Sequence, residues 1–411
     1  MKFNKWTLAL AGAGVVSLAS VAQAEEAQMS QVLTAVSSTQ LSGYVDTSAI
    51  WKFGTGNANL PGRAFDGVGK LDGFNVNVVG VTLEKPLSED QWAAGYHVQL
   101  LFGPDANNYN TSPLGVDSVD GTANTSDFSV KQAYVALRTP IGTGIDWKIG
   151  TFTTIVGYES FESYLDPNYS RSFGWQLEPT QHTGILGTYQ AGDAISFSAG
   201  VANTWVAGVN RRSPRAESMK AYMGSITITA PESWGFLKGS AWYAGLVNGF
   251  SGNGRNTTTT YVGGSVATPV EGLSIGGAFD YRFNGPYQFS VPGTPDASAN
   301  VNWAYAIAGY LSFQATEKLK LNIRGDYSQS ADGTFFDSGA PGKNDHNSIG
   351  SLTLTADYAL WANVISRMEF RWDRSLGGDE PYGASNVGAQ TRGPGVNENA
   401  LTFAANLIYK F

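Results

Sequence analysis

Few residues in this sequence carry the side chains of catalysis. There is no cysteine, and there are three histidines, His97, His182 and His346. No serine or carboxylate stands at a recognisable spacing from any of them, so no nucleophile–base pair is expected. Transition-metal sites and haem attachment are not expected either, and no cofactor is implied. No glycine-rich phosphate loop follows a strand and opens a helix. The Asp- and Asn-rich stretches 104–125 and 330–346 lack the D-x-[DN]-x-[DN]-G spacing of a calcium loop. The net charge of −8 argues against a nucleic-acid partner. An enzyme is therefore not expected.

Charge is concentrated elsewhere. Segment 156–180 holds Glu159, Glu162, Asp166 and Glu178 against one base, Arg171. It also holds Tyr158, Phe161, Tyr164, Tyr169, Phe173 and Trp175, too many aromatics for a loop standing in water. A second group, Lys320, Arg324, Arg367 and Arg371, lies within 317–329 and 362–374. In each of these stretches the two bases are four residues apart, on one face of a strand. A third group, Arg211, Arg212 and Arg215, reads as a solvated charged loop, with attraction of anionic solutes or lipopolysaccharide phosphates as the alternative.

The elements that must hold these residues follow from composition. Of 411 residues, 50 are Gly, 12% are aromatic and only 15% are charged. Such a chain is neither disordered nor disulfide-stapled. It has no series of ~20-residue apolar runs, so it is not a helical membrane protein. Residues 1–24, MKFNKWTLALAGAGVVSLASVAQA, place Lys2 and Lys5 before an apolar core and end on Ala22-Gln23-Ala24. This predicts a secretory signal peptide cut after Ala24. Residues 25–40 read as a short lead-in.

From residue 41 the hydrophobic period is two. Alternation predicts sixteen strands, at 41–53, 73–85, 91–103, 126–138, 144–155, 181–190, 193–205, 219–230, 235–248, 257–268, 272–284, 301–314, 317–329, 347–359, 362–374 and 398–411. In 362–374, Val364, Met368, Phe370 and Trp372 oppose Arg367, Glu369, Arg371 and Asp373. About 13 residues at ~3.3 Å, tilted ~40°, rise roughly 33 Å, close to a bilayer. The phase slips within 73–85 and 126–138, and 235–248 is apolar on both sides, so a bulge or a subunit contact is expected there. Short connections alternate strictly with long ones, which a transmembrane barrel explains and a sandwich does not. The fold class expected is all-β: a closed antiparallel transmembrane barrel over 41–411, with short periplasmic turns and long extracellular loops. Closure leaves no open edge in lipid. Aromatic girdles are expected from Trp51, Phe53, Phe102, Trp205, Tyr281, Phe283 and Trp372 at the long-loop rim. Trp92, Phe313, Tyr409 and Phe411 would serve the short-turn rim.

The ending Leu407, Tyr409, Phe411 resembles the signal read by outer-membrane barrel assembly machinery. LSGYVDTSAIWKFG at 41–54, EKPLSEDQWAAGYHVQLLFGPDAN at 84–107 and NYSRSFGWQLEPTQHTG at 168–184 resemble the OmpL-like family of beta-barrel porins. The resemblance runs from about residue 41 to 411. It implies passive diffusion of small hydrophilic solutes through a water-filled pore in the outer membrane of a Gram-negative-type bacterium. Membrane lipid and lipopolysaccharide would surround the barrel, and a homotrimer is common among such proteins. It also implies that the third long loop, 156–180, folds into the lumen. The basic faces of 317–329 and 362–374 would then lie opposite, about eight strands round. An acidic loop facing a basic wall sets a transverse field across a narrow aqueous gap. The competing arrangement pairs the charges locally, Arg324 with Asp326, Arg367 with Glu369 and Arg371 with Asp373. The competing function is a non-conducting barrel with a structural or partner-binding role.

Overall fold

The computed structural model describes residues 39–56, 70, 72–108, 127–215, 217–252, 254–287, 301–331, 347–378, 380–383 and 395–411. The expected signal peptide, most of the lead-in, His346 and most of the two Asp-rich stretches lie outside these residues.

Sixteen strands form one closed sheet. They are β1 (Gln40–Phe53), β2 (Gly73–Lys85), β3 (Ala93–Phe102), β4 (Phe128–Thr139), β5 (Ile145–Thr153), β6 (Gln181–Gln190), β7 (Ile195–Ala202) and β8 (Ala221–Thr229). The second half comprises β9 (Ala241–Phe250), β10 (Arg255–Ala267), β11 (Leu273–Tyr287), β12 (Asn302–Gln314), β13 (Leu319–Ser330), β14 (Asn347–Trp361), β15 (Val364–Ser375) and β16 (Asn399–Lys410). Each strand pairs antiparallel with its sequence neighbours, and β1 pairs with β16 to close the ring. At the seam Phe411 N donates to Gly43 O at 2.9 Å, and Gly43 N to Phe411 O at 2.8 Å. The Phe411 ring lies so close over Gly43 that a Cβ there would sit 2.6 Å from its Cζ. Glycine at 43 is what lets the terminal aromatic lie flat on the seam.

The alternation sorts side chains by solvent in the sense a lipid-embedded barrel requires. On β13, Leu321 and Ile323 are exposed while Asn322, Arg324 and Asp326 are buried. On β15, Met368, Phe370 and Trp372 are exposed while Arg367, Glu369, Arg371 and Asp373 are buried. Apolar groups face outward and charges inward, the reverse of a soluble core. Trp51, Phe53, Phe102, Trp92, Phe313, Trp372 and Tyr409 are all exposed near strand ends.

Three details refine the alternation. The phase slips in β2 and β4 coincide with register shifts against their neighbours, at Asn77 and Lys131. Each bulge adds a residue, so both Asn77 and Val78 are buried, and both Lys131 and Gln132 make inward hydrogen bonds. The region 235–248 is not one strand. Glu232–Leu237 is a short 3-10 helix, and the strand begins at Ala241. β9 is apolar on both sides because Tyr243 and Val247 on its inner face belong to a cluster with Val156. Trp205 leaves the girdle. β7 ends at Ala202, Trp205 N donates to Phe250 O at 3.0 Å, and the indole is buried at 6% exposure.

Candidate functional site

The connection between β5 and β6, residues 154–180, contains two short 3-10 turns, Ser163–Leu165 and Gly174–Leu177. Most of it is buried although it has no regular structure over most of its length. Its backbone polar groups therefore need partners other than a sheet ladder. Inner-face side chains supply them. Arg367 donates from Nη1 to Ser163 O at 2.9 Å and from Nη2 to Asp166 O at 3.0 Å. Arg324 donates to Ser170 O at 2.6 Å and Arg171 O at 3.1 Å. Arg371 donates to Arg171 O at 2.5 Å. Glu369 accepts Tyr169 N at 2.6 Å and Ser170 N at 2.9 Å. On β10, Thr259 Oγ1 donates to Leu177 O at 3.0 Å. On β1, Asp46 accepts Ser163 Oγ at 2.5 Å, and Ser48 accepts Tyr169 Oη at 3.1 Å.

The acids of the segment meet different fates. Glu159 pairs with Arg324 at 2.8 Å and accepts Ser172 N at 2.7 Å. Glu162 pairs with Lys131 at 2.5 Å and accepts from Gln99. Burial pushes the Glu162 carboxyl up, but Lys131 and Gln99 outweigh it and hold it below its ordinary value. Asp166 pairs with Arg171 at 3.0 Å and accepts Ser160 N at 2.8 Å. Its burial raises it to about 7, which Arg171 offsets only in part. Glu178 has no basic partner among the described residues. Burial first, then the neighbouring Asp280 carboxyl to which it is hydrogen-bonded, raise it well above the ordinary glutamate range. Gly157 makes room for this pair. A Cβ at Gly157 would lie 2.7 Å from Glu178 Cδ, and its φ of +116° already excludes ordinary side chains.

The basic wall is engaged rather than free. Arg324 also pairs with Asp326 at 2.9 Å, and Arg371 with Asp373 at 2.8 Å. Arg367 pairs with Asp357 on β14, not with Glu369, whose oxygens are taken by the segment's amides. Lys320 sits opposite Asp357 in the β13–β14 register. Glu159 and Arg324 touch, so at this point no water-filled gap separates acid from base. The physical reason is the segment's orphan carbonyls, which draw the arginines into contact.

Sequence reasoning missed Lys131, Asp280 and Asp46. Each contacts a residue of segment 154–180 that is distant in sequence. Two of the three histidines lie within the described residues. His97 bonds Glu84 at 2.9 Å and stacks on Tyr134, and buried His182 lies 3.2 Å from Thr154 Oγ1. Among the described residues no group of three or more His, Cys, Asp or Glu is placed to hold a metal ion.

The sequence profile of the family described as "Putative beta-barrel porin-2, OmpL-like" matches residues 38–411. The chain belongs to this porin family. It is an outer-membrane channel built on a closed antiparallel barrel. No curated protein matches the porin's sequence. Solved structures agree on the fold. The outer membrane channel DcaP of Acinetobacter baumannii shares 13% identity at a TM-score of 0.55, covering 93% of this chain and 100% of that one. The anion-selective porin from Comamonas acidovorans shares 11% identity at 0.55, covering 91% and 99%. OmpT of Vibrio cholerae in its trimer form shares 12% identity at 0.53, covering 91% and 99%.

Proposed function

We propose that this porin passes small hydrophilic solutes by passive diffusion and that segment 156–180 lies across the lumen and narrows it. The observation that carries the reading is the reach of the segment's hydrogen bonds. They end on β1, β10, β13 and β15, strands distributed round the ring. A connection fastened to facing walls constricts whatever passes between them. Glu159, Glu162, Asp166 and Glu178 form the acidic side of this constriction, and Lys320, Arg324, Arg367 and Arg371 the basic side. Because most of these charges are paired, the local field is that of dipoles side by side, weaker than that of two opposed charged surfaces.

Export through a signal peptide cut after Ala24 and delivery to the assembly machinery through Phe411 belong to the same reading. So do a homotrimer like that of OmpT, with its lipid and lipopolysaccharide surround, and the absence of enzymatic chemistry.

Reconstitution in planar bilayers tests the channel, with stepwise openings as the expected result. A folded barrel that never conducts would sink it and favour a structural or partner-binding role. The narrowing has its own test. The native chain has no cysteine, so Gln176→Cys creates a single thiol on a partly exposed residue of the segment. Labelling with a charged methanethiosulfonate reagent should reduce single-channel current. An unchanged current would remove segment 156–180 from the solute path.

A further inference from the structure

Most polar groups on the inner wall are satisfied by one another. Where Arg282 meets Trp205, hydrogen-bond donors are left over. Arg282 lies on the inner face of β11, between buried Asp280 and buried Asn284. Its guanidinium carbon is 4.4 Å from the ring centre of Trp205. Its Nε donates to Asn284 Oδ1 at 3.2 Å. Asn284 is itself fixed, accepting Thr257 Oγ1 at 2.9 Å and donating to Asn302 Oδ1 at 2.7 Å. The ring contact and the Nε bond together hold the guanidinium in place.

What remains is the end-on fork, Nη1 and Nη2, which has no partner among the described residues. The buried indole Nε1 of Trp205 also has none. Arg255, on the adjacent β10, adds a second positive charge and is held by its Nε to Gly285 O at 2.9 Å. The nearest acid along β11, Asp280, is engaged with Glu178. A guanidinium has five donors and no acceptor, and its fork matches the two oxygens of a carboxylate or phosphate. An arginine already held by a ring contact and its Nε bond loses little further freedom when such a group arrives.

We propose that Arg282 and Trp205, with Arg255 beside them, form an oxyanion-binding site on the inner wall near the long-loop rim, taking the carboxylate or phosphate of a solute that enters the pore. This rests on the channel reading. The site differs from the constriction in having surplus donors where most of the constriction's charges are paired.

The test uses inorganic phosphate and succinate as probes on the purified full-length barrel. Calorimetry in detergent reads binding without current, and planar bilayers read saturable reduction of chloride current. Wild type should bind at least one probe. Arg282→Gln should weaken it about tenfold or more, since hydrogen bonds to a charged group are lost. Arg282→Lys, which keeps the charge without the fork, should fall between the two. Trp205→Phe keeps the ring face without the N–H and should weaken binding less than Arg282→Gln does. Arg212→Gln, on an exposed residue of the rim, should change nothing. Phosphate alone or succinate alone assigns the class of group. No binding of either probe, or equal binding by wild type and Arg282→Gln, overturns the site. Absence of current with binding intact would instead fail the channel reading.

Discussion

Segment 154–180 touches two walls that hold it by opposite means. Against β13–β15 the contact is ionic. Arg324, Arg367 and Arg371 donate into its carbonyls while their charges are balanced by Glu159, Asp326, Asp357 and Asp373. Against β9–β12 the contact is apolar and aromatic. Val156 clusters with Val247, Tyr261 and Ala278, and Tyr158 stacks on Tyr310 at 4.1 Å between ring centres. On that side Glu178 and Asp280 face each other. The ionic wall satisfies backbone groups that no ladder pairs, which demands exact geometry. The apolar wall needs only shape, and tolerates adjustment. Precision therefore belongs to the first wall, and give to the second.

Removing one cation should break that comparison most severely. Arg324→Ala leaves Glu159 and Asp326 buried without their shared partner and frees two carbonyls. Stripping one member of a buried charge pair costs about 3–5 kcal/mol. The variant should lower the thermal midpoint of the folded barrel and make single-channel current noisier or larger. A midpoint indistinguishable from that of Arg212→Gln would show that the ionic wall does not hold the segment. On the apolar wall, Tyr158→Ala should cost less, about 2 kcal/mol, from lost burial and ring stacking. Tyr158→Phe keeps the ring and should stay near wild type. If Tyr158→Ala proved the more damaging of the two alanine variants, the ranking of the walls would reverse.

The difference between the walls also explains what was legible in the sequence. β2 and β6 begin and end where the sequence places them, because lipid on one side and polar groups on the other impose period two along them, broken in β2 only at the Asn77 bulge. Arg324, Arg367 and Arg371 stood out because charge on one strand face is visible along that strand. Their partners were less visible. Arg371 and Arg324 do pair within their own strands, but Arg367 reaches across to Asp357, and such a choice depends on register between strands. The apolar wall was unreadable for a related reason. An inner face packed on a connection is apolar like the lipid face, so β9 lost its alternation and its start was placed too early. Trp205 read as a girdle residue because its strand was extended past Ala202. The Lys131–Glu162 and Glu178–Asp280 contacts join residues far apart in sequence, which one sequence without its fold cannot bring together.

The smallest effect expected is also the most specific to the second wall, and it depends on pH. Glu178 and Asp166 both have raised values in the folded barrel, so the native state holds more protons than the unfolded chain over the interval between ordinary and raised values. Stability then falls as pH rises through that interval and is level below it. For Asp166 the interval runs from 3.8 to about 7. For Glu178 it opens at 4.5 and extends upward. The contacts of Glu178 and Asp166 should thus be firmest at the acidic end of that interval, whereas Glu162, kept ionised by Lys131, contributes least in acid. Once Glu178 loses its proton it faces the Asp280 carboxyl in a buried site, with Tyr158, Tyr243 and Tyr261 nearby and Glu159 and Asp166 adding repulsion. Current noise should therefore grow as pH is raised in the wild type. Glu178→Gln, uncharged at every pH, should remove most of that growth, whereas Arg324→Ala should be noisy across the whole range. Noise that rises equally with pH in wild type and Glu178→Gln would place the yielding contact somewhere other than the second wall.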